Sequence, residues 1–582
     1  MFRALAATVL HISLFPSLSA AQQPSAVTIE RDVPVPMRDG VVLRADIFRP
    51  AGDGSFPVLV ERTPYGKQGL KLEALAQAGY IVVTQDARGR YVSDGQYESF
   101  YRDHTHDGED GYDTVEWAAR LPGSTGKVGT LGASYNAFLQ WRLAALRPPS
   151  LVAMAAQTIP ARLTDLEGPG TIRPGRRLVW FYATISPDVR RRAGREGTHT
   201  TPAARQVWDA AVGDKWLNFL PWSKLPREIF EDETDAVQAW LNNPDHDPWQ
   251  LDKHCREVAV PNLDIVGWYD HCNGDMLLHR TMVKEAQTDL ARRNQRLIIG
   301  PWGHSSRGQQ KFGAIDFGPA AVLSIVEEEI RWFDYWLKGK DNGTAKQAPV
   351  RIFVMGANEW RDEQEWPPRR AVNKDFYLTS KNNANTPSGD GRLLAAAPTT
   401  SGQDVYDYDP KNPVPSLYGK ALYTIPADQR PLASREDILV YQTEPLAEAL
   451  EVTGNPQVEL FAASSAPDTD FFVRLIDVSP DGLARDVSLG VVRARYRESL
   501  AKPQLLKPGE VTKFTIRMNP TSNRFLPGHR LRLDITSSDF PNYDRNHNTA
   551  DDQNADPTLA TAHQLIYHGP QVPSRLILPT IP

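Results

Sequence analysis

The pentapeptide Gly132-Ala133-Ser134-Tyr135-Asn136 lies between a strand-like run, residues 127–131, and a helical run, residues 137–146. A serine on a sharp strand-to-helix turn presents its hydroxyl at the C-terminal end of the strand. Gly132, Ala133 and Ala137 are small enough to let such a turn close. The amide of Tyr135 falls at the helix N-terminus, where it can donate to a developing oxyanion with the helix dipole behind it. The fifth glycine usual in this turn is replaced by Asn136. A serine hydroxyl is a poor nucleophile at neutral pH and needs a base with an orienting partner. Gly267-Trp268-Tyr269-Asp270 follows the apolar run 262–266, and Gly300-Pro301-Trp302-Gly303-His304 follows the run 296–299. Alone, Asp270 reads as a turn residue and His304 as a surface histidine. In the chain order Ser134, Asp270, His304, each at the end of a strand, they predict a nucleophile, an orienting carboxylate and a general base.

Residues so far apart in sequence need a scaffold to bring them together. From residue 42 to 160, strand-like runs (42–48, 57–61, 80–84, 127–131) alternate with helical ones (70–78, 112–121, 137–146). That alternation predicts a parallel sheet covered by helices on both faces. From about 162 to 249 strand runs become scarce, and Trp180, Trp208, Trp216, Trp222, Trp240 and Trp249 all fall here. Because sheet texture returns at 262–266, this stretch reads as an insertion, most simply a helical cap, with its tryptophans mainly in the core and some over a cleft. After a helical run at 321–337 come short β runs with dense turn residues, among them 350–354, 457–461, 471–476 and 531–535. Such texture belongs to an antiparallel β-sandwich. The expected domains are an α/β sheet domain over 22–160 and 250–348, a cap over 161–249 and a β-sandwich over 349–582.

With 65 Lys plus Arg against 71 Asp plus Glu in 582 residues, the net charge is −6. No nucleic-acid partner and no anionic membrane surface is expected from that balance. Arg3, the apolar run 4–14 and Ser19-Ala20-Ala21 before Gln22 form the pattern of a secretory signal peptide over 1–21. A secreted or periplasmic protein without a membrane span is therefore expected, since a span needs ~20 apolar residues. Cys255 and Cys272 flank a strand whose ~7 residues separate them by over ~20 Å. A disulfide needs Cα atoms within about 7 Å, so none is expected between them. Asn342-Gly343-Thr344 is a glycosylation sequon that matters only in a eukaryotic host. His104 and His106 with Asp103 and Asp107 have the residue types of a metal site, but they sit in a polar loop before a helix and read as loop and cap residues. Serine chemistry itself needs no metal and no cofactor.

Six ordered motifs sharpen the reading: Arg62-Thr63-Pro64-Tyr65, Asp86-Ala87-Arg88-Gly89-Arg90, Gly132-Ala133-Ser134-Tyr135, Gly267-Trp268-Tyr269-Asp270, Gly300-Pro301-Trp302-Gly303-His304 and Ser538-Asp539-Phe540-Pro541. By these the chain, from about Val33 to its C-terminus, resembles the cocaine esterase and X-Pro dipeptidyl-peptidase-like α/β-hydrolases, which include α-amino acid ester hydrolases and acylases. The resemblance implies an α/β-hydrolase sheet with an inserted helical cap and a C-terminal all-β jelly-roll domain. It also implies a serine hydrolase that cleaves an ester or amide bond of a small molecule or short peptide through an acyl-enzyme. A further implication is a second oxyanion donor beside the Tyr135 amide, the tyrosine hydroxyl of the Arg-x-Pro-Tyr loop, here Tyr65. The Asp86–Arg90 motif reads as a salt-bridged loop supporting the site. Members that hydrolyse α-amino acid esters hold the substrate ammonium with acidic residues, partly near the catalytic aspartate. Here His271, Cys272, Asn273 and Gly274 follow Asp270, and only Asp275 beyond them is acidic. This departure argues against a tight amine clamp at that place, although a cap carboxylate could substitute. Arg173, Arg176, Arg177 and Arg190, Arg191 and Arg192 have the chemistry to pair an acyl carboxylate, but read first as solvated surface residues. Two alternatives stand beside this reading. One is an aminopeptidase releasing X-Pro dipeptides, which needs an anionic group in the cap. The other is a glycan-binding protein that uses the C-terminal sandwich and leaves Ser134 dispensable.

Overall fold

Apolar runs in the first third of the chain pair into a sheet whose middle is covered on both faces. The computed structural model describes residues 27–582 apart from 71, 167–171, 273 and 421, so the signal-peptide reading of residues 1–21 lies outside the described residues. The strands are β1 (Thr28–Pro36), β2 (Val42–Arg49), β3 (Phe56–Thr63), β4 (Ile81–Asp86), β5 (Ser124–Ala133) and β6 (Leu151–Gln157), in the spatial order β1-β2-β4-β3-β5-β6. Pairing is parallel from β4 through β3 and β5 to β6. A parallel bridge from Met154 to Asn262 carries the sheet on to β7 (Leu263–Gly267), which pairs in parallel with β8 (Arg296–Gly300). Every residue of β4, β7 and β8 is buried, which is why these strands read as continuous apolar runs.

Two strands depart from the expected arrangement. β2, expected in a parallel sheet, is antiparallel to both neighbours, β1 and β4. The strand Val350–Val354, expected in the sandwich, pairs in parallel with β8 and antiparallel with Glu359–Glu363. A five-residue run with four apolar side chains is buried equally well in either sheet, and periodicity alone does not separate the two.

Helices α1 (Glu73–Gln77), α2 (Asp107–Ala119) and α3 (Tyr135–Ala144) connect the strands. Gly111 lets α2 and α3 meet, because a Cβ there would lie 2.6 Å from Leu143 Cβ. The helix Ile325–Trp336 covers another part of the sheet, with Trp332 Nε1 donating to the Met154 carbonyl at 2.9 Å. Between β6 and β7 the chain forms short helices, including π-helical turns at Phe181–Ile185 and Trp208–Val212. All six tryptophans of this stretch are buried. Arg173, Arg176, Arg177 and Arg190 are buried too, which corrects their reading as surface residues, while Arg191 and Arg192 are exposed. The tryptophan-rich insertion supplies faces for guanidinium groups: Arg173 lies over Trp240 at 4.6 Å and Arg177 over Trp180 at 5.5 Å. Arg190 instead meets Glu231 at 2.9 Å.

From Val372–Thr379 to Arg575–Ile581 the chain is all β, and its strands pair almost entirely antiparallel. Leu531, Leu533 and Ile535 send their side chains into its core. This domain packs on the loop that follows β7: the Thr424 hydroxyl donates to the Tyr269 carbonyl at 2.5 Å, and the Tyr269 hydroxyl donates to the Asp486 carbonyl at 2.7 Å. Cys255 and Cys272 are separate buried thiols.

Candidate active site

Ser134 joins β5 to α3 with φ +61° and ψ −125°, a conformation that costs a non-glycine residue energy and must be held by its surroundings. Its N–H donates to the Gln157 carbonyl at 2.9 Å, and its own carbonyl accepts from the amides of Ala137 and Phe138 at 2.9 and 3.1 Å. Gly132 has φ +127°, and a Cβ there would lie 2.7 Å from Asn136 Cβ and 2.8 Å from Glu61 Oε1. Asn136, in place of the fifth glycine, donates from Nδ2 to Glu61 Oε1 at 2.7 Å and so ties the first turn of α3 to β3. The Tyr135 amide is the first of α3, with no carbonyl four residues back in the helix to receive it.

Asp270 follows β7 and is fully buried. His304 follows β8, and its Nδ1 lies 2.9 and 3.1 Å from the two carboxylate oxygens of Asp270. The Cys272 amide also donates to Asp270 Oδ1, at 2.7 Å. An imidazole that gives its Nδ1 proton to a carboxylate leaves Nε2 as the acceptor. His304 and Ser134 line one pocket of about 250 Å³, together with Tyr65 and Tyr135.

Tyr65 reaches this pocket from the loop after β3. Arg90 Nε donates to the Pro64 carbonyl at 2.7 Å, and Arg88 pairs with Asp110 and Asp39 at 2.5 and 2.8 Å. The Asp86–Arg90 motif is thus a salt-bridged support, as expected. The Tyr65 hydroxyl accepts from Trp180 Nε1 at 3.3 Å. Burial pushes the Tyr65 phenol well above its ordinary value, so it keeps its proton and remains a donor.

The pocket also holds residues that no spacing in the sequence marks. His271 lies against His304 with ring centroids 4.6 Å apart, and Tyr423 stacks on both histidines at 5.4 and 5.7 Å. Tyr423 comes from the C-terminal half of the chain, beside the Thr424 contact. Burial, helped by the positive charge of Arg176, holds the His271 imidazole well below its ordinary value and therefore neutral. Trp180, Trp249, Arg176 and Arg177 from the inserted segment complete much of the wall.

Among the described residues, the group with metal-ligand atoms close together is Asp270, His271, Cys272 and His304, all within 4.8 Å of one another. The Asp270 oxygens are already engaged by His304 and the Cys272 amide, and burial pushes the Cys272 thiol well above its ordinary value. A thiolate-ligated metal would have to break the carboxylate–imidazole pair. His106, by contrast, precedes α2 and pairs with Glu98 at 2.9 Å.

A half-buried elbow serine at the C-terminal edge of a mostly parallel sheet, lining one pocket with a carboxylate-bound histidine, defines the α/β-hydrolase class of serine hydrolases. Comparison with known proteins narrows this. Residues 39–306 match the family described as X-Pro dipeptidyl-peptidase (S15 family), and residues 342–577 match the X-Pro dipeptidyl-peptidase C-terminal non-catalytic domain. The chain is 37% identical to the cocaine esterase of Rhodococcus sp. (strain MB1 Bresler), over 95% of this chain and 99% of that one. Among solved structures, an aminopeptidase from a marine sediment archaeon, Thaumarchaeota archaeon, is similar with a TM-score of 0.83 and 25% identity, over 98% of this chain and 99% of that one. An α-amino acid ester hydrolase gives a TM-score of 0.76 at 25% identity, over 97% and 98%. The chain belongs to the cocaine esterase and X-Pro dipeptidyl-peptidase-like family of α/β-hydrolases.

Proposed function

We propose that this hydrolase cleaves an ester or amide bond of a small molecule or short peptide through an acyl-enzyme, with Ser134 as nucleophile, His304 as general base and acid, and Asp270 orienting His304. One observation carries the reading: His304 Nδ1 is bound to Asp270 in the same pocket that holds Ser134 on its strained turn. Ser134 Oγ adds to the substrate carbonyl carbon while His304 Nε2 takes its proton. The oxyanion receives the Tyr135 N–H and the Tyr65 O–H. Collapse expels the leaving alcohol or amine, which takes the proton from His304, and water then repeats the sequence to release the acid and restore Ser134. The hydrolase core is assigned to 22–160 and 250–348, the cap to 161–249 and the jelly roll to 349–582, with the strand Val350–Val354 lent to the core sheet. Residues 1–21 are assigned as a signal peptide that directs the enzyme to the periplasm or outside the cell; N-terminal sequencing of the exported protein should begin at Gln22.

Ester substrates are favoured over X-Pro peptides. The identity with a cocaine esterase extends over nearly the whole chain. The described pocket-lining residues include Arg176 and Arg177 and no Asp or Glu. Asp275, the one acidic residue close behind Asp270, is fully buried, accepts from the Ile159 amide at 2.8 Å and does not line the pocket. The test compares the mature protein on simple aryl esters and on a dipeptidyl-prolyl chromogenic amide, with fluorophosphonate labelling of Ser134 as the common control. Faster turnover of the aryl esters is expected. Preferential cleavage of the prolyl amide would replace the ester reading by the aminopeptidase one while leaving the triad in place.

A further inference from the structure

Beneath the pocket runs a polar network that none of these steps uses. Glu61, Asn136, Gln157 and Glu329 are all buried. Carboxylates and amides removed from water in this way must find partners inside the protein. Asn136 Nδ2 donates to Glu61 Oε1 at 2.7 Å, and Gln157 Nε2 donates to Glu329 Oε1 at 2.8 Å. The other side-chain atom of Gln157, Oε1, accepts from Arg307 Nη1. The Arg307 charge acts on both Glu61 and Glu329.

The two ends of this network are anchored to the reacting groups. The Gln157 backbone carbonyl accepts the N–H of Ser134 itself, at 2.9 Å. Arg307 stands three residues after His304, and the turn between them is closed by Ser306, whose Oγ accepts from the Gly303 amide at 3.0 Å and whose own amide donates to the Gly303 carbonyl at 3.2 Å. A shift of Arg307 is therefore transmitted to His304 through a tight turn, and a shift of Gln157 to Ser134 through one hydrogen bond.

We propose that Gln157 and Arg307, anchored by Glu329, are positioning residues that hold the Ser134 turn and the His304 loop at a fixed separation. The inference rests on the reading of Ser134 as nucleophile and His304 as its base. Proton transfer between them needs hydrogen-bonding reach, and a misplacement of about 1 Å costs as much as 10²-fold in rate. None of the side chains of Glu61, Asn136, Gln157, Arg307 and Glu329 lines the pocket, so loss of the network should fall on the chemical step and spare binding.

The experiment uses the full mature chain in five forms besides the native one: Arg307→Met, Gln157→Leu, their double variant, Arg307→Lys and Glu329→Gln. Measured for each are kcat and KM on an aryl ester, the rate of fluorophosphonate labelling with the labelled peptide identified by mass, and the melting temperature. Arg307→Met and Gln157→Leu should each lower kcat and the labelling rate by about 10- to 100-fold, with KM within about threefold of native. The double variant should lose no more than the worse single one, because groups acting as a unit are not additive. Arg307→Lys and Glu329→Gln should lose less. Labelling within about twofold of native in both Arg307→Met and Gln157→Leu, or losses that multiply in the double variant, would overturn the inference. If those variants do not fold, the two conservative ones decide: lowered kcat at native KM supports the inference, and native kcat in both overturns it. Labelling of a residue other than Ser134 in the native enzyme would instead overturn the triad reading, and the inference with it.

Discussion

Ser134 sits at positive φ because the turn must aim its side chain into the pocket, and the hydrogen bonds to Gln157, Ala137 and Phe138 hold it there. With the nucleophile removed, Ser134→Ala should lower ester turnover by a factor on the order of 10⁶ and abolish fluorophosphonate labelling at an unchanged melting temperature. Retention of a tenth of the activity would remove Ser134 from its role. Tyr65→Phe deletes one hydroxyl with almost no change in shape. Loss of one oxyanion donor costs roughly 10²–10³ in kcat, and the loss should fall on kcat more than on KM because the bond strengthens as charge develops. A native kcat in this variant, with acylation rate-limiting, would exclude Tyr65 from the oxyanion hole. On the proposed mechanism a base activates Ser134 and fixed donors hold the oxyanion, so dialysis against a strong chelator should leave turnover unchanged; reversible loss restored by zinc would point instead to the cluster of Asp270, His271, Cys272 and His304. The strand-end positions of Ser134, Asp270 and His304 were legible in the sequence because each follows its own strand. The packing of His271 and Tyr423 beside His304 was not, because it brings together segments 33 and 119 residues away from His304 in sequence.

At the scale of elements, the buried strands announced themselves and the edges did not. β4, β7 and β8 are buried throughout because both their faces are covered, and each carries a short apolar stretch, Ile81 to Val83, Ile265 to Val266 and Leu297 to Ile299. β2, with Arg44, Asp46 and Arg49 among its apolar residues, runs antiparallel, since pairing direction is set by where the chain returns and leaves no mark on composition. The strand Val350–Val354 was assigned to the wrong sheet for a related reason: nothing in its four apolar residues says which neighbour they meet. Asn136 stands where the turn motif usually has its fifth glycine. In the folded chain it supplies the hydrogen bond to Glu61 that a glycine lacks. The turn's real steric demand is at Gly132, which has positive φ and is crowded by Asn136 and Glu61. Gly132→Ala should therefore destabilise the protein by at least the cost of strained backbone, about 1–3 kcal/mol. The expected observation is a lower denaturant midpoint with an unchanged slope. An unchanged midpoint would show that the elbow can relax to take a methyl group.

Taken whole, the molecule encloses its site with parts of three regions: sheet ends, the tryptophan-rich insertion and, through Tyr423, the β domain. It also buries many carboxyls, and this fixes how its stability should vary with pH. Burial pushes Glu61 up to about 8 and Glu329 and Asp264 up to about 7. In the unfolded chain a glutamate titrates near ~4.3. Between those values the folded state binds more protons than the unfolded one, so the free energy of unfolding falls as pH rises. The contribution of Glu61 is complete below about pH 4.3 and gone above about pH 8. Asp46, Asp113 and Asp404 act in the opposite sense: their partners, Arg31, Arg38 and His568 among them, hold them below the ordinary carboxylate value, and their contribution is lost only as the solution becomes strongly acid. The native protein should thus melt highest in mildly acid solution and lose stability toward pH 9. Glu61→Gln keeps an oxygen for Asn136 Nδ2 and removes the titrating group. Its melting temperature should fall less steeply than the native one between pH 5 and 9, measured by calorimetry at constant ionic strength. An equally steep fall would mean that Glu61 is already ionised throughout that range, with Arg307 outweighing its burial.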